Sequence, residues 1–197
     1  LNSSSGIPQR SGAGESSIRI YTLGNLILES VSIQKKQEKF AKHSRYVMDL
    51  LEQFPQRDAV IVHHNDGDGI TSGTILKTAL QRAGWQVEAV AVEKLYTQVL
   101  EMIFARYKIP IFFADVGGGA IPEMAGLNTS RTPVVVLDHH HTEAKGDIVE
   151  SDIYNLCSER FGISGEEHVC AAGVVWAFAR VLNQANDDLA WMAVVGA

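Results

Sequence analysis

The sequence predicts an α/β fold in which helices cover both faces of a doubly wound, mostly parallel β-sheet. Short apolar runs rich in Val and Ile, typical of buried strands, begin about every 25 residues. Segments with apolar residues at helical spacing lie between these runs. Because strand and helix alternate, each connection is long enough to cross the sheet and return parallel to the previous strand.

The elements can be placed in order along the chain. The first is an amphipathic helix over 34–54, which ends before Pro55 and is expected to pack on the sheet. The predicted strands lie at 59–63, 87–92, 109–114 and 133–137, and the later helices at 71–83, 95–107, 121–127, 169–183 and 189–195. A further short strand is expected at 147–149 and a loop at 151–167. Together these elements predict a Rossmann-like sheet.

The composition fits one good-sized domain with a flanking extension. Of the 197 residues, 46% are hydrophobic and 20% are charged, which is ordinary for a globular chain. The Ser- and Gly-rich stretch 1–17 is expected to be a flexible leader, and 18–55 an extension whose helix packs on the main domain. The main domain is assigned to 56–197. The apolar helix in its last residues leads us to expect that this domain is truncated at its C-terminal end.

Charge and cysteine content exclude several classes of protein. The formal net charge of −6 provides no general attraction for nucleic acid, so a polyanion must be held locally. No apolar run approaches the roughly 20 residues that span a bilayer, so no membrane partner is expected. Cys157 and Cys170 fit no zinc-site spacing and are expected to be reduced. Without a signal peptide, the expected location is the cytoplasm.

Acidic residues and histidines follow three of the predicted strands. Residues 63–69 (HHNDGDG) follow the first strand, Asp115 follows the third, and Asp138–His141 follow the fourth. The carboxyl ends of parallel strands meet at one edge of a sheet, so these side chains are expected to converge. Imidazoles and carboxylates bind divalent ions, and a shared carboxylate permits a two-metal site. The alternative for Asp138–His141 alone is a solvated loop.

The residues after the first strand also fit a site that binds an anion. His64, Asp66 and Asp68 alternate along the chain, so in an extended segment they project to the same side. Thr71 and Ser72 lie at the start of the next predicted helix, whose amides favour a phosphate. Capping of that helix by Asp68, Thr71 and Ser72 is the alternative, and the two roles are compatible.

A glycine run after the third strand is a second candidate for phosphate binding. Gly117, Gly118 and Gly119 directly follow Asp115 and Val116. Their backbone amides are expected either to cradle a phosphate or to form a tight turn between strand and helix.

The three motifs resemble those of a known family. His64–Ser72 (HNDGDGITS), Phe113–Gly117 (FADVG) and Asp138–His140 (DHH) resemble the first three motifs of the DHH phosphoesterases, and the first is most similar to the archaeal-type branch of RecJ-like nucleases. Cys170–Val174 resembles the start of the helix that follows the DHH motif. The resemblance covers the chain from Asp58 onwards.

The resemblance implies a role for each metal-ligand candidate. His64 and Asp66 would bind one Mn²⁺ ion, and Asp68 and His139 a second, with Mg²⁺ as the alternative ion. Asp115 would bridge the two. The family pattern also implies a further carboxylate ligand and a substrate-binding domain beyond Ala197.

The resemblance also implies the reaction. Asp138 would orient a histidine and His140 would contact the scissile phosphate, so that Asp115, Asp138 and His140 form the catalytic set. Water activated by two metal ions would hydrolyse phosphodiester bonds of single-stranded nucleic acid or a short oligonucleotide, as in an exonuclease. His63 and His141 are expected to be neighbours of the site rather than ligands.

Two other functions remain open at this point. The first is a phosphatase of the same family that acts on pyrophosphate, oligonucleotides or cyclic dinucleotides. The second is a non-catalytic RecJ-like scaffold with a protein partner in a replication or repair assembly.

Overall fold

The computed structural model describes residues 23–54 and 56–197, and the side chains from residue 30 onwards within these ranges. The predicted leader, 1–17, lies outside the described residues. The helices and strands occur in the order α1 Leu23–Leu51, β1 Asp58–His64, α2 Gly67–Arg82, β2 Gln86–Val92, α3 Thr97–Arg106, β3 Ile111–Ala114, α4 Ile121–Leu127, β4 Val134–Leu137, β5 Ile153–Asn155, α5 Ala171–Leu182 and α6 Ala190–Gly196.

The five strands form one sheet in the order β2-β1-β3-β4-β5. All four pairings between these strands are parallel. The predicted α/β fold with a doubly wound, mostly parallel sheet is therefore confirmed. The chain moves to one side of β1 to form β2 and to the other side to form β3. The crevice at such a reversal, outside the carboxyl ends of the strands, is where ligands bind in sheets of this kind.

Alternate residues of the strands point to two separate cores. In β1, Ala59 and Ile61 pack against α1, α2 and α5, whereas Val60 and Val62 pack against α3 and α4. All four side chains are buried. Burying a large aliphatic side chain stabilises the fold by about 1.5–3 kcal/mol. Because successive side chains of a strand point to opposite faces, consecutive apolar residues stabilise the packing of helices on both faces of the sheet.

The last strand differs from the prediction. The prediction of a strand at 147–149 is wrong, because Ile148 makes only an isolated antiparallel bridge to Ile153, and a 3-10 turn follows. Asp152 then adopts a left-handed conformation (φ 53°) that reverses the chain. The strand β5 lies within the stretch predicted as a loop. It has only three residues, too few for a period of two to be recognised in the sequence.

Two helices begin earlier than their predicted starts at residues 34 and 71. The helix α2 starts at Gly67 because Asp66, rather than Asp68, caps it, with Asp66 Oδ1 accepting the N–H of Gly69 at 2.9 Å. The helix α1 begins at Leu23. Extending an existing helix adds one hydrogen bond for each residue fixed, so a helix can grow beyond its amphipathic part. In the described part of the chain, no helix has the length and apolarity to cross a membrane.

A partly buried polar network ties α1 to the segment before α5. His43 Nε2 lies 3.0 Å from Asp147 Oδ2, and Arg160 Nη1 donates to Asp147 Oδ1 at 2.6 Å. Next to it, the rings of Phe40 and Phe161 pack edge to face at 5.3 Å. His43 of α1 thus helps to hold this helix on the main domain.

Candidate metal centre

Three neighbouring strand ends bring the predicted site together. His64 is the last residue of β1, Asp115 directly follows β3, and Asp138 directly follows β4. These strands are adjacent in the sheet, with β1 and β3 at the reversal of strand order. The parallel pairing therefore places the three motifs at one edge, as the sequence predicts.

The first group of candidate ligands contains His64, Asp66 and Asp115. His64 Nδ1 lies 2.9 Å from Asp66 Oδ2 and 3.7 Å from Asp115 Oδ2. The backbone N–H of Gly69, with a further contribution from His64, holds the pKa of Asp66 below its usual value. Asp66 is thus ionised at neutral pH and serves both as the cap of α2 and as a candidate ligand.

The second group is centred on His139. Its Nε2 lies 3.5 Å from Asp115 Oδ1 and 3.8 Å from Asp68 Oδ2. Its Nδ1 lies 3.1 Å from the carbonyl oxygen of Gly165, which can only accept a hydrogen bond. The proton therefore resides on Nδ1, and the Nε2 of a neutral His139 presents its lone pair to the two carboxylates.

Asp68 also holds a helix that is distant in the sequence. Its two oxygens accept the backbone N–H groups of Ala171 and Ala172 at 2.8 and 2.7 Å, at the start of α5. Cys170, at the N-cap of that helix, makes no side-chain capping bond. Each carboxylate oxygen has a second lone pair, so Asp68 can cap α5 and still coordinate an ion.

Asp115 is the residue that the two groups share. Its ligand atoms lie within 4.8 Å of those of His64 and Asp66 in the first group. In the second group they lie within 4.8 Å of those of His139 and of its neighbours Asp138 and His140, and Asp68 adjoins this group through its 3.8 Å approach to His139 Nε2. Asp115 is 3% exposed, and its Oδ1 has no hydrogen-bond partner. It also adopts a left-handed backbone conformation, with φ of 61°, which is uncommon for a residue other than glycine.

The surroundings of Asp115 favour binding of a cation from outside the chain. Burial, followed by the like charges of Asp68, Asp138 and Asp66, raises the pKa of Asp115 to about 8. A buried carboxylate without a partner is costly unless a counter-charge binds to it. An imidazole and carboxylate set around an orphaned oxygen therefore fits divalent metal ions.

Asp138 holds the turn that carries His139 and His140. It is 1% exposed, and its Oδ1 accepts the backbone N–H of His139 at 2.7 Å and that of His140 at 3.2 Å. Its Oδ2 accepts the N–H of Gly118 at 2.8 Å. Burial alone would raise the pKa of Asp138, but these bonds and the bond from the His140 ring outweigh it and hold the pKa below its usual value.

His140 lies at the rim of the site. Its Nδ1 is 2.7 Å from Asp138 Oδ1, and its side chain is 58% exposed. The hydrogen bond to Asp138 is the main cause that raises the pKa of His140 to about 8. At neutral pH the ring is therefore largely protonated, and it presents a positive charge where an anion can reach it.

Several predicted substrate contacts do not fit the structure. Ser72 is 0% exposed, and Gly117 is buried with Met124 and Phe113 where a Cβ would lie, so a substrate cannot reach either residue. The N–H of Gly118 is already bonded to Asp138. The glycine run thus forms the tight turn of the alternative prediction.

Three further residues near the site, Thr71, His63 and His141, can be compared with their predicted roles. The Thr71 hydroxyl donates to the Gly67 and Asp68 carbonyls, so any contact with substrate stays a prediction. His141 is exposed and His63 bonds to the His64 carbonyl, and neither belongs to the two ligand groups.

The Asp68 and Gly165 contacts were missed by reasoning from the sequence. Both join segments far apart in the chain, since Asp68 and Ala171 are 103 residues apart and His139 and Gly165 are 26 residues apart. The one available signal was Gly165 itself, because a glycine often marks a close approach of two backbones. A Cβ at this position would lie 1.8 Å from the His139 carbonyl oxygen.

Comparison with known proteins places this geometry in a family. The DHH family, N-terminal domain, matches residues 58–196. An uncharacterized protein of Methanocaldococcus jannaschii is 32% identical over 163 residues, which is 81% of this chain and 34% of that protein. The chain thus spans about a third of the length of this curated relative.

Solved structures share the fold at low sequence identity. Exonuclease RecJ bound to manganese has a TM-score of 0.60 and 17% identity, and the match covers 80% of this chain and 42% of that one. RecJ in complex with Mn²⁺ from Thermus thermophilus has a TM-score of 0.58 and 18% identity, covering 80% and 23%. CDC45 from Entamoeba histolytica has a TM-score of 0.55 and 19% identity, covering 84% and 32%. Since the family match spans the whole sheet and all three motifs, the chain belongs to the DHH family and has a RecJ-like fold.

Proposed function

We propose that this chain carries the metal centre of a phosphoesterase that hydrolyses phosphodiester bonds in single-stranded nucleic acid, in the manner of an exonuclease. The observation that carries the proposal is Asp115, a buried carboxylate with an orphaned oxygen that two groups of ligand atoms share. A shared carboxylate is the arrangement that allows two divalent ions to lie close together.

We assign the candidate ligands to two ion sites. His64 and Asp66 would hold one ion, Asp68 and His139 the other, and Asp115 both. We propose Mn²⁺, with Mg²⁺ as the alternative, because three of the five proposed ligands are carboxylates, which suit these ions. When bound, two such ions activate water and stabilise the charge that develops on a phosphoryl group.

The chain itself supplies orientation and one positive charge. Asp138 accepts backbone N–H groups from the turn that bears His139 and His140, which fixes both rings relative to the strand end. The protonated His140 would donate to a non-bridging phosphate oxygen. Such a charge-assisted hydrogen bond is about twice as strong as a neutral one.

Binding of a polyanion by this chain depends on the site itself. Three arginines that could otherwise attract phosphate are engaged in ion pairs elsewhere, namely Arg82 with Asp188, Arg106 with Glu88 and Arg131 with Asp152. Bound metal ions and His140 are therefore the proposed contacts to phosphate, and the net charge of −6 makes the rest of the surface unattractive to nucleic acid.

The test is Mn²⁺-dependent cleavage of a labelled single-stranded oligonucleotide. We expect Asp115→Asn to reduce the rate by about 100-fold or more, because even a residue that only supports a metal ligand is worth about 10–100-fold. Asp152→Asn, which removes a carboxylate from a surface ion pair, is the matched control and should leave the rate unchanged. An undiminished rate in Asp115→Asn, or no Mn²⁺-dependent cleavage by the wild-type chain, contradicts the proposal.

Two other functions give different results in the same assay. A small-phosphate phosphatase would prefer pyrophosphate or a dinucleotide over the oligonucleotide in a substrate panel. A non-catalytic scaffold, for which the fold shared with CDC45 is the motivating observation, would cleave none of them and would not need to bind two ions.

A further inference from the structure

A backbone carbonyl binds the His139 ring on the side away from the candidate metal ligands. The Gly165 oxygen accepts from His139 Nδ1 at 3.1 Å, on the side of the ring opposite Asp115 and Asp68. This bond keeps the proton on Nδ1 and the lone pair of Nε2 directed at the two carboxylates. The Gly165 carbonyl therefore supports the ring orientation in which Nε2 faces the two carboxylates.

Gly165 is placed by two features of its surroundings. A Cβ at this position would lie 1.8 Å from the His139 carbonyl oxygen, so only glycine allows the two backbones to approach this closely. On its other side, the Gly165 N–H donates to Glu159 Oε1 at 3.1 Å. The same peptide segment thus accepts from His139 and donates to Glu159.

Glu159 is held on a short turn that is fixed at two points. It belongs to the 3-10 helix Ser158–Phe161, whose first N–H donates to the Asp138 carbonyl at 2.9 Å. The next residue, Arg160, donates to Asp147 Oδ1 at 2.6 Å, within the network that includes His43 of α1. The turn is therefore attached both to the strand end that bears the site and to a helix that lies outside the family match, 58–196.

We infer that Glu159 is a positioning residue for His139, acting through the Gly165 backbone. Its carboxylate accepts the Gly165 N–H and so fixes the orientation of this residue, and with it the direction of the Gly165 carbonyl that accepts the ring N–H. Glu159 does not itself touch the metal ligands' coordinating atoms. The inference rests on the proposed function in one respect, since it takes His139 to be a metal ligand.

The first test measures the tautomer of His139 in the metal-free protein by nitrogen NMR of the imidazole. The wild-type ring is expected to carry its proton on Nδ1, and Glu159→Ala is expected to increase the fraction protonated on Nε2. Glu159→Gln retains an acceptor oxygen and should restore the wild-type spectrum. Glu166→Ala and Glu167→Ala, exposed carboxylates on the same segment, are the matched controls and should not change it.

The second test measures Mn²⁺ affinity by titration calorimetry on the same variants. We expect Glu159→Ala to weaken binding by about 3–10-fold, toward the lower end of what residues supporting a ligand contribute, with Glu159→Gln close to wild type. If Glu159→Ala does not fold, Glu159→Asp, whose side chain is one methylene shorter, should weaken Mn²⁺ binding in the same direction but by a smaller factor.

The two measurements separate the positioning role from the proposed function. A wild-type tautomer together with wild-type Mn²⁺ affinity in Glu159→Ala overturns the inference, and so does an equal change in Glu166→Ala. A tautomer shift in a chain that binds no Mn²⁺ supports the positioning role and refutes the proposed function. Normal Mn²⁺ binding with no effect of Glu159→Ala refutes the positioning role alone.

Discussion

Asp115 and Asp147 are both largely buried carboxylates, but their surroundings are opposite. The Asp147 side chain is 10% exposed and accepts from His43, Arg160 and the backbone N–H of Asn155. Burial acts to raise its pKa, but these bonds outweigh it and hold the pKa below its usual value. Asp115 has an oxygen without a hydrogen-bond partner, and its pKa is raised to about 8.

This difference separates a structural carboxylate from a functional one. A buried charge whose hydrogen bonds are complete holds segments of the fold together, as Asp147 holds α1 to the turn before α5. A buried charge left incomplete within a cluster of like charges lowers stability until a ligand binds to it, and such groups are characteristic of functional sites. Removing each carboxylate should therefore have effects of opposite sign.

The largest expected effect on stability is that of Asp147→Ala. The substitution leaves Arg160 and the Asn155 N–H without their acceptor, and breaking a buried pair in this way costs about 3 kcal/mol. Urea unfolding measures the loss. Asp152→Asn, which removes the charge of the surface pair with Arg131 and tolerates the left-handed backbone at this position, is the control and should cost less than about 1 kcal/mol. Equal losses in the two variants would show that the network around Asp147 is not structural.

Asp115→Asn should have a smaller effect in the other direction. In metal-free protein at neutral pH, the raised pKa keeps Asp115 largely protonated, which costs free energy because the same carboxyl is ionised in the unfolded chain. The amide removes this cost, and a gain of about 1 kcal/mol is typical when a strained functional residue is replaced. The comparison is made by urea unfolding in the presence of a chelator. A loss comparable to that of Asp147→Ala would mean that Asp115 is a structural residue after all.

The pH dependence of the metal-free protein should show the smallest contrast. Because the folded pKa of Asp147 lies below the usual 3.8, its contribution is present above that pH and is lost as the pH falls through the folded value. Asp115 is the reverse, since its folded pKa is about 8. Between pH 3.8 and 8 the unfolded chain loses this proton while the folded chain keeps it, so stability falls as the pH rises through this range.

These two trends can be read from paired unfolding curves over a range of pH. The stability gap between wild type and Asp147→Asn should narrow in acid. The gap between Asp115→Asn and wild type should widen as the pH rises toward 8. Parallel curves for all three proteins would contradict both assignments.

The sequence was sufficient to predict which strand ends form the site. His64, Asp115 and Asp138 come together because a parallel sheet aligns the ends of its strands, and each strand was recognisable from its apolar run. The roles assigned to these residues could not be tested by pattern alone. They rest on burial and hydrogen bonding, which depend on the folded chain.

Contacts made through the loops could not be predicted in the same way. The bonds from Asp68 to α5 and from Gly165 to His139 join segments that no periodicity relates. Ser72 was predicted to bind substrate from its place at the start of a helix, but that helix begins at Gly67, and Ser72 lies in its buried face. An error in the position of a helix start thus became an error in the site.

The most direct test of the central claim is the number of Mn²⁺ ions that the chain binds, measured by titration calorimetry at neutral pH. If Asp115 is shared between two ion sites, wild type should bind two ions per chain, and Asp115→Asn should lose measurable binding at one or both sites. Binding of two ions by Asp115→Asn with wild-type affinity, or no Mn²⁺ binding by the wild-type chain, would contradict the account.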